Sequence, residues 1–585
     1  MTELFQKFQN LSYPLPDKTF LWNMYGAGLE NIGLNGKPEV ASIPEPAANQ
    51  LLVRVDAVGM CFSDVKLINQ GGEHPKLYNR NLKEDPTRLG HEASLTVVKV
   101  GKQLADQFVP GQRLVLQPDI YQNNRSTAYG YTIPGGLIQY HLMGDEVLNA
   151  DAGSYAIPIN ADDMSYAEAA LTEPWACVVA SYTQRRRLVP KPGGTMLIIG
   201  MPGDQQAYDF SSGLEVPAKI VLVGASPALK ALVLAKKSPE AEVLEYQDIE
   251  PQRFEQLNQD VCGGEGFDDI VVLSPGSSTL VSEAVKLIAF RGTFNIVGNR
   301  PLDGPVQIDA GRIHYHYTAF LGNKGTDIAA SYGENRNRCE LQPQGTLVVV
   351  GAGGPMGQMH VQLAMEMKNG PKRIIASDVD QARLEALKEF AGHIAEDKEI
   401  ELILFNPMKS TQNLRSLLKE INAGQLADDV VVCVPSGPLM EESYQLLAPN
   451  GMFVLFAGVP IGTTINVKID DVFLNNLQLT GTSGSTLDDQ RLVIEKTVNG
   501  ELSPILSVAA IGGMDAAVEG LDAMMTGKYA GKVIIFPQIP RFPLIGLHEL
   551  ADQRPEIAEK LGPNHSWTFE AEKALINHHW TKELQ

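Results

Sequence analysis

The chain has 585 residues, 44% hydrophobic and 20% charged, which is too long for one core and is the composition of an ordinary globular protein. Its formal charge of −21 argues against a nucleic-acid surface and against attraction to anionic lipid. No signal-like N-terminus, no apolar run of membrane-spanning length and five scattered cysteines without a C-x-x-C pair lead us to expect a cytoplasmic protein with no disulfide framework.

Residues 1–185 carry short strands punctuated by Gly and Pro ("NQLLVRVDAVGMC", "GQRLVLQP", "GGLIQYHLM"), the pattern of a mostly β domain. Within it, "LGHEASLTVVKVG" sets His91 and Glu92 at the mouth of an apolar strand. "GMCFSD" adds Cys61 and Ser63, and "LTEPWACVV" adds Glu173 ahead of a helix-like run. Cys61, His91 and Glu173 make a ligand set for a catalytic zinc, with the fourth position left to water or substrate. Such an ion lowers the pKa of an alcohol or polarises a carbonyl. Ser63, two residues after Cys61 and on the same face of an extended segment, is expected to relay the alcohol proton to solvent. Glu92 is expected as a catalytic group that supports the ligands from behind, or as an alternative ligand. Each residue also has an ordinary structural reading, and it is their company in one chain that favours the metal.

An internal repeat follows, each copy about 150 residues of alternating strand and helix patterns. The first begins "SYTQRRRLVPKPGGTMLIIG" at Ser181, and the second begins "SYGENRNRCELQPQGTLVVVG" at Ser331. In the first, Gly200 and Gly203 survive, but the stretch from Gly200 to Pro217 is three residues shorter than its counterpart from Gly351 to Pro371. The helix there is expected to be short, Asp204 sits where a pyrophosphate would be repelled, and Gly224 replaces the acid at the strand end. This copy reads as a degenerate Rossmann-like domain kept for packing, assembly or spacing. A site for NADP or a regulatory nucleotide is the competing reading.

The second copy reads "GTLVVVGAGGPMGQMHVQLAMEMKNGPKRIIASD": a strand, a glycine-rich turn, a helix stopped at Asn369-Gly370-Pro371, and a second strand delivering Asp378. Dinucleotide binding needs these parts: close backbone approach to a pyrophosphate, a helix N-terminus, and a carboxylate for the ribose hydroxyls. The cofactor turn is Gly351, Ala352, Gly353, Gly354, Pro355, Met356 and Gly357. Gly357 to Asp378 is 21 residues, close to the interval the fingerprint requires. Counting back from Gly357 places Ala352 where the first glycine belongs, unless Gly351 takes that place. Asp378 favours NAD(H) over NADP(H), and Arg383 could soften that preference.

After about residue 485 come a helix-like stretch, the strand "GKVIIFP" and a polar, helical tail to Gln585. The expected organisation is α/β: a catalytic domain over 1–185 completed by 486–585, a degenerate Rossmann-like doubly wound domain over 186–330, and a cofactor-binding one over 331–485. His314, His316, His578 and His579 lack metal-ligating company and are expected to be surface or structural residues.

Together "GMCFSD", "GHEASLTVVKVG", "GGLIQYHLM", "LTEPWACVV" and "KYAGKVIIF" resemble the zinc-dependent medium-chain dehydrogenases. The glutamate ligand looks like the polyol (sorbitol) dehydrogenase branch. "GQRLVLQP", "GTSGSTLDD" and "AAIGGMDAAVEGL" look like the L-sorbose-1-phosphate reductase group within it. The resemblance implies a GroES-like catalytic domain, zinc on Cys61, His91 and Glu173, proton relay through Ser63, and dinucleotide on the turn and Asp378. It also implies that the backbone around Val434 to Ser436 and Gly481 to Ser483, including Thr482, lies near the nicotinamide. The family's four-cysteine lobe has no counterpart in "DIYQNNRSTAYGYTIPGG", so one catalytic zinc and no structural zinc is expected.

The expected function is a zinc-assisted NAD(P) oxidoreductase interconverting alcohol and ketone on a polyol, sugar or sugar phosphate, in a homo-oligomer (dimer or tetramer). Two rivals stand beside it. A zinc-free quinone or enone reductase of the same fold would carry no zinc, and a non-catalytic dinucleotide sensor would turn over nothing. Lys66, Lys76 and Arg80 lie near the ligand segments, but exposed cations are common and none is assigned to a phosphate.

Overall fold

The computed structural model describes residues 2–247 and 249–580, so the last five residues of the expected tail lie outside the described ones. The chain forms two compact units. One comprises Met1–Val179, Gly354–Met359 and Gly484–Gln585; the other comprises Ala180–Gly353 and His360–Ser483. The two Rossmann-like stretches, apart from residues 354–359, fall within the second unit.

The first unit is built on strands β1 (Leu51–Gly59), β2 (Glu92–Val100), β3 (Arg113–Leu116), β4 (Tyr140–Met143) and β5 (Ala156–Ile159), with helices α1 (Phe62–Gln70) and α2 (Tyr166–Ala180). Every residue of β1 is buried, as its run of Leu and Val with few polar breaks requires. One face of this sheet, with Val53, Val55, Leu95, Val97 and Leu114, packs into a single apolar core. A buried ion pair sits on β1. Arg54 Nε meets Asp56 Oδ1 at 2.6 Å, and both side chains are fully buried. Its Nη1 donates to the Phe8 carbonyl at 2.7 Å, its guanidinium lies 3.6 Å from the Phe8 ring centroid, and the Thr96 hydroxyl donates to Asp56 Oδ2 at 2.6 Å. This arrangement ties the N-terminal helix Thr2–Gln9 to the sheet.

The second unit holds two copies of one doubly wound design. Copy one has β6 (Thr195–Ile199), β7 (Lys219–Val223), β8 (Glu242–Tyr246), β9 (Phe267–Leu273), β10 (Ile288–Val297), a short β11 (Val306–Asp309), helix α3 (Ala310–Tyr315) and β12 (Ala319–Asn323). Its parallel sheet runs in the order β8-β7-β6-β9-β10-β12. Copy two has β13 (Thr346–Val350), α4 (Pro355–Glu366), β14 (Arg373–Ser377), β15 (Glu401–Phe405), β16 (Ala427–Val432), β17 (Leu447–Leu455), β18 (Thr464–Val467) and β19 (Gln478–Thr480), with the matching order β15-β14-β13-β16-β17-β19. Between β6 and β7, residues 200–218 form no helix, so the short helix expected there is absent. Asp204 instead accepts from the Tyr208 hydroxyl at 2.7 Å, and Tyr208 also meets Ser274 Oγ at 2.6 Å.

The copies join through a self-complementary ribbon. Strands β11 and β18 pair antiparallel, with Val306 opposite Val467, Gln307 opposite Asn466 and Ile308 opposite Ile465. Gly292 of copy one corresponds to Gly451 of copy two in the repeat, and at the same spacing Val306 corresponds to Ile465 and Ile308 to Val467. Val306 therefore meets the counterpart of Ile308, Ile308 that of Val306, and Gln307 its own counterpart, the signature of a two-fold contact. Apolar residues of both copies, Ile308, Ile313, Ile465 and Phe473 among them, merge into one core.

The chain then returns to the first unit with β20 (Val508–Gly513), β21 (Lys532–Phe536) and β22 (Ile545–Gly546), completing the order β5-β3-β2-β1-β21-β20-β22, while β4 pairs with β1. The expected strand "GKVIIFP" is β21, antiparallel to β1. It carries Lys532 into the neighbourhood of His91 and Glu92.

Candidate metal centre and dinucleotide turn

Cys61 ends β1's run and caps α1, as its extended φ of −127° allows. Asp64, in the helix's first turn, closes the cap: its Oδ2 accepts from the Cys61 backbone N–H at 3.0 Å. The other oxygen of Asp64 accepts from the Gly90 N–H at 3.3 Å and stands 3.2 Å from His91 Nδ1. One carboxylate thus ties two distant ligand segments together. It turns His91 so that Nε2 is left for a cation, the usual arrangement of a ligating histidine.

Cys61, His91 and Glu92 offer ligand atoms that all lie within 4.8 Å of one another, the metal-competent group found among the described residues. Glu92 Oε1 is held by the Lys532 ammonium, whereas its Oε2 is buried without a hydrogen-bond partner. An orphaned carboxylate oxygen beside a thiol and an imidazole is the donor set a zinc ion needs. Burial opposes a charged imidazole, but Asp64 and Cys61 outweigh it and hold the His91 proton well above the usual histidine range. A bound cation displaces that proton. Burial likewise works against the Lys532 ammonium, and Glu92 with Cys61 overcomes it.

Glu173, expected as the third ligand, stands outside the 4.8 Å group. It lies inside α2 beside Pro174 rather than ahead of the helix, and the Cys177 thiol approaches its Oε1 at 3.9 Å. Burial pushes its carboxyl up to about 7, with His91 opposing and Glu92 adding to the rise. Ser63 is on the first turn of α1, not on an extended segment, because Cys61 starts a helix there. It is half-buried.

In copy two the turn after β13 is as expected, and the structure resolves the glycine question. Gly351 has φ +82°, and a Cβ there would collide with Val434, so Gly351 takes the first glycine's role and Ala352 stays buried beside it. The N–H groups of Gly351 and Ala352 donate to the Ser377 carbonyl at 2.8 and 3.0 Å, and that of Gly353 to Asp378 Oδ2 at 2.9 Å. Gly354, Pro355 and Met356 open α4 half-exposed, and Gly357 is buried. Val434 follows β16 and Thr482 follows β19, both at carboxyl ends of parallel strands, where such sheets bind ligands. Ser436 caps the helix Gly437–Tyr444 through its hydroxyl. Of the cations noted near the ligand segments, Lys76 is paired with Asp119 at 2.5 Å and Arg80 with Asp85 at 2.7 Å. His314 Nδ1 contacts the Leu455 carbonyl at 3.2 Å, and His579 meets Glu556 at 3.0 Å.

Asp64 and Lys532 contact the candidate ligands, and sequence reasoning gave neither a role. The first had a signal: an acid three residues after Cys61, at the capping-box position. The second had none, since it reaches Glu92 from 440 residues away.

The chain matches two family models: an alcohol dehydrogenase GroES-like domain over residues 47–151 and a zinc-binding dehydrogenase domain over residues 355–498, the latter falling on copy two. It is 28% identical to the uncharacterized protein YggP of Escherichia coli (strain K12), over 60% of this chain and 86% of that one. Identity is 26% to L-sorbose 1-phosphate reductase of Klebsiella pneumoniae (49% and 72% covered). It is 28% to mannitol-1-phosphate 5-dehydrogenase of Aliivibrio fischeri (strain ATCC 700601 / ES114), with 62% and 89% covered.

Proposed function

We infer that this chain is a zinc-type medium-chain dehydrogenase of the polyol branch. On that premise we propose that it interconverts a secondary alcohol and a ketone on a polyol, sugar or sugar phosphate, with NAD(H) as hydride carrier and one zinc ion held by Cys61, His91 and Glu92. The observation that carries this reading is the convergence of those three side chains within 4.8 Å, with one buried carboxylate oxygen left free. Relatives named for L-sorbose 1-phosphate and mannitol 1-phosphate support a phosphorylated open-chain substrate.

Zinc supplies Lewis acidity toward the reacting oxygen, and nicotinamide supplies the hydride acceptor or donor. The chain's own residues prepare the rest. Asp64 fixes the His91 tautomer, Lys532 balances the Glu92 charge, and Ser63 at the head of α1 passes a proton toward solvent. The Gly351–Gly357 turn and the N-terminus of α4 receive the pyrophosphate. Asp378, at the end of β14, binds the ribose hydroxyls and repels a 2′-phosphate, which supports NAD(H) over NADP(H).

Metal analysis and turnover with a panel of polyols, ketoses and their phosphates test this. About one zinc per chain is expected, with NADH ahead of NADPH and that preference reduced about tenfold in Asp378→Ala. No zinc together with no turnover on any alcohol or ketone would sink the reading, and activity confined to enones or quinones would favour a zinc-free reductase.

A further inference from the structure

Copy one has lost the parts that hold a dinucleotide, yet it keeps a cationic cluster that the fold does not require. Arg186 donates through Nη2 to the carbonyls of Gly481 at 2.5 Å and Ile313 at 3.3 Å, while its buried Nε meets no acceptor. Its guanidinium lies 5.2 Å from the Tyr317 ring centroid, and that of Arg291 lies 4.6 Å from the same ring. The Tyr317 hydroxyl meets Ser483 Oγ at 3.1 Å. Phe290, 56% exposed, packs edge-on to Tyr317. Among the described residues neither arginine has a carboxylate within ion-pair distance. Two unpaired guanidinium groups around one ring repel each other, and an anion relieves that repulsion.

The repeat shows that this cluster is particular to copy one. Arg291 and Tyr317 both hold left-handed backbone, at φ +56° and +55°. At the corresponding places copy two has Asn450 at +64° and Asn476 at +57°, the residue type that suits this region. Copy one keeps large side chains where asparagine would be less strained, as functional positions do.

The cluster abuts Gly481 and Ser483, just beyond the carboxyl end of β19. Asp378, which marks the adenosine ribose, follows β14, four strands away in the sheet, or about 19 Å. A cofactor 2′-phosphate held at β14 is therefore out of reach. From this placement we infer that Arg186, Arg291 and Tyr317 form a phosphate site at the nicotinamide end of the cofactor sheet, taking the phosphoryl group of a phosphorylated polyol or ketose. Copy one is then a specificity element rather than a spent cofactor domain. This rests on the functional reading above, through the placing of nicotinamide near Gly481 to Ser483.

Arg291 is exposed, so Arg291→Asn, which installs copy two's residue, tests the site without disturbing the Arg186 carbonyl contacts. Inorganic phosphate is titrated calorimetrically into the full chain and the variant, with NADH affinity measured alongside. Phosphate binding is expected to weaken about tenfold or more. The ratio of KM for a phosphorylated to an unphosphorylated substrate should rise by a similar factor. Equal phosphate affinity in both proteins, no saturable phosphate binding by the unaltered chain, or an unchanged KM ratio would overturn the proposal. Failure of NADH to bind while phosphate still binds would instead count against the functional reading and leave the anion site standing.

Discussion

Glu92→Gln is expected to strip the metal and lower turnover by about a thousandfold or more, whereas Glu173→Gln keeps the metal and loses no more than about tenfold. The difference follows from what each carboxyl touches. Glu92 shares the 4.8 Å group with Cys61 and His91 and has one oxygen without a partner, while Glu173 stands outside it and faces the Cys177 thiol. An amide keeps the shape of Glu92 but offers a neutral oxygen in place of an anionic one. Zinc per chain by elemental analysis, read with steady-state turnover, separates the two. Because Lys532 loses its counter-charge in Glu92→Gln, the melting temperature is recorded with both, so that unfolding is not mistaken for metal loss. Metal lost from Glu173→Gln but kept by Glu92→Gln would return the third ligand to Glu173.

The second large effect is on stability. Arg54→Met should destabilise the first unit by about 3–5 kcal/mol, because it leaves Asp56 fully buried with its charge uncompensated. The same change removes donors from the Phe8 carbonyl and the Tyr13 hydroxyl, so the N-terminal helix should loosen as well. Replacing both partners, Arg54→Met with Asp56→Leu, should recover much of the loss, since no isolated charge then remains. Urea unfolding of the three proteins measures this. An Arg54→Met midpoint matching the unaltered chain would show that the pair contributes nothing net.

Much of this was legible in the sequence, and the failures have physical causes. Cys61 and His91 stood out because each interrupts an apolar run, and the turn before Asp378 stood out because strand, glycines, helix stop and acid came in order. Glu92 was left in the sequence between a supporting group and an alternative ligand, since neighbours within a strand point to opposite faces. His91, however, precedes the strand and Glu92 is its first residue, so alternation does not apply at that junction. Ser63 was misplaced because "GMCFSD" continues a β-rich segment, and only the Cys61–Asp64 cap reveals that a helix begins there. The ribbon joining the copies was not legible at all. "VQID" and "TINV" alternate like any short edge strand, and nothing local says that each seeks the other.

That ribbon changes what a single substitution can do. In a pair of identical chains every change appears on both sides of the axis, so a replacement must tolerate its own copy. Here the two sides are encoded separately, and Gln307 faces Asn466 where symmetry would have set a residue against itself. A tether also holds the halves at an effective concentration that dilution does not lower. Either half can thereby lose residues that the other keeps, a division of labour closed to an assembly of identical subunits.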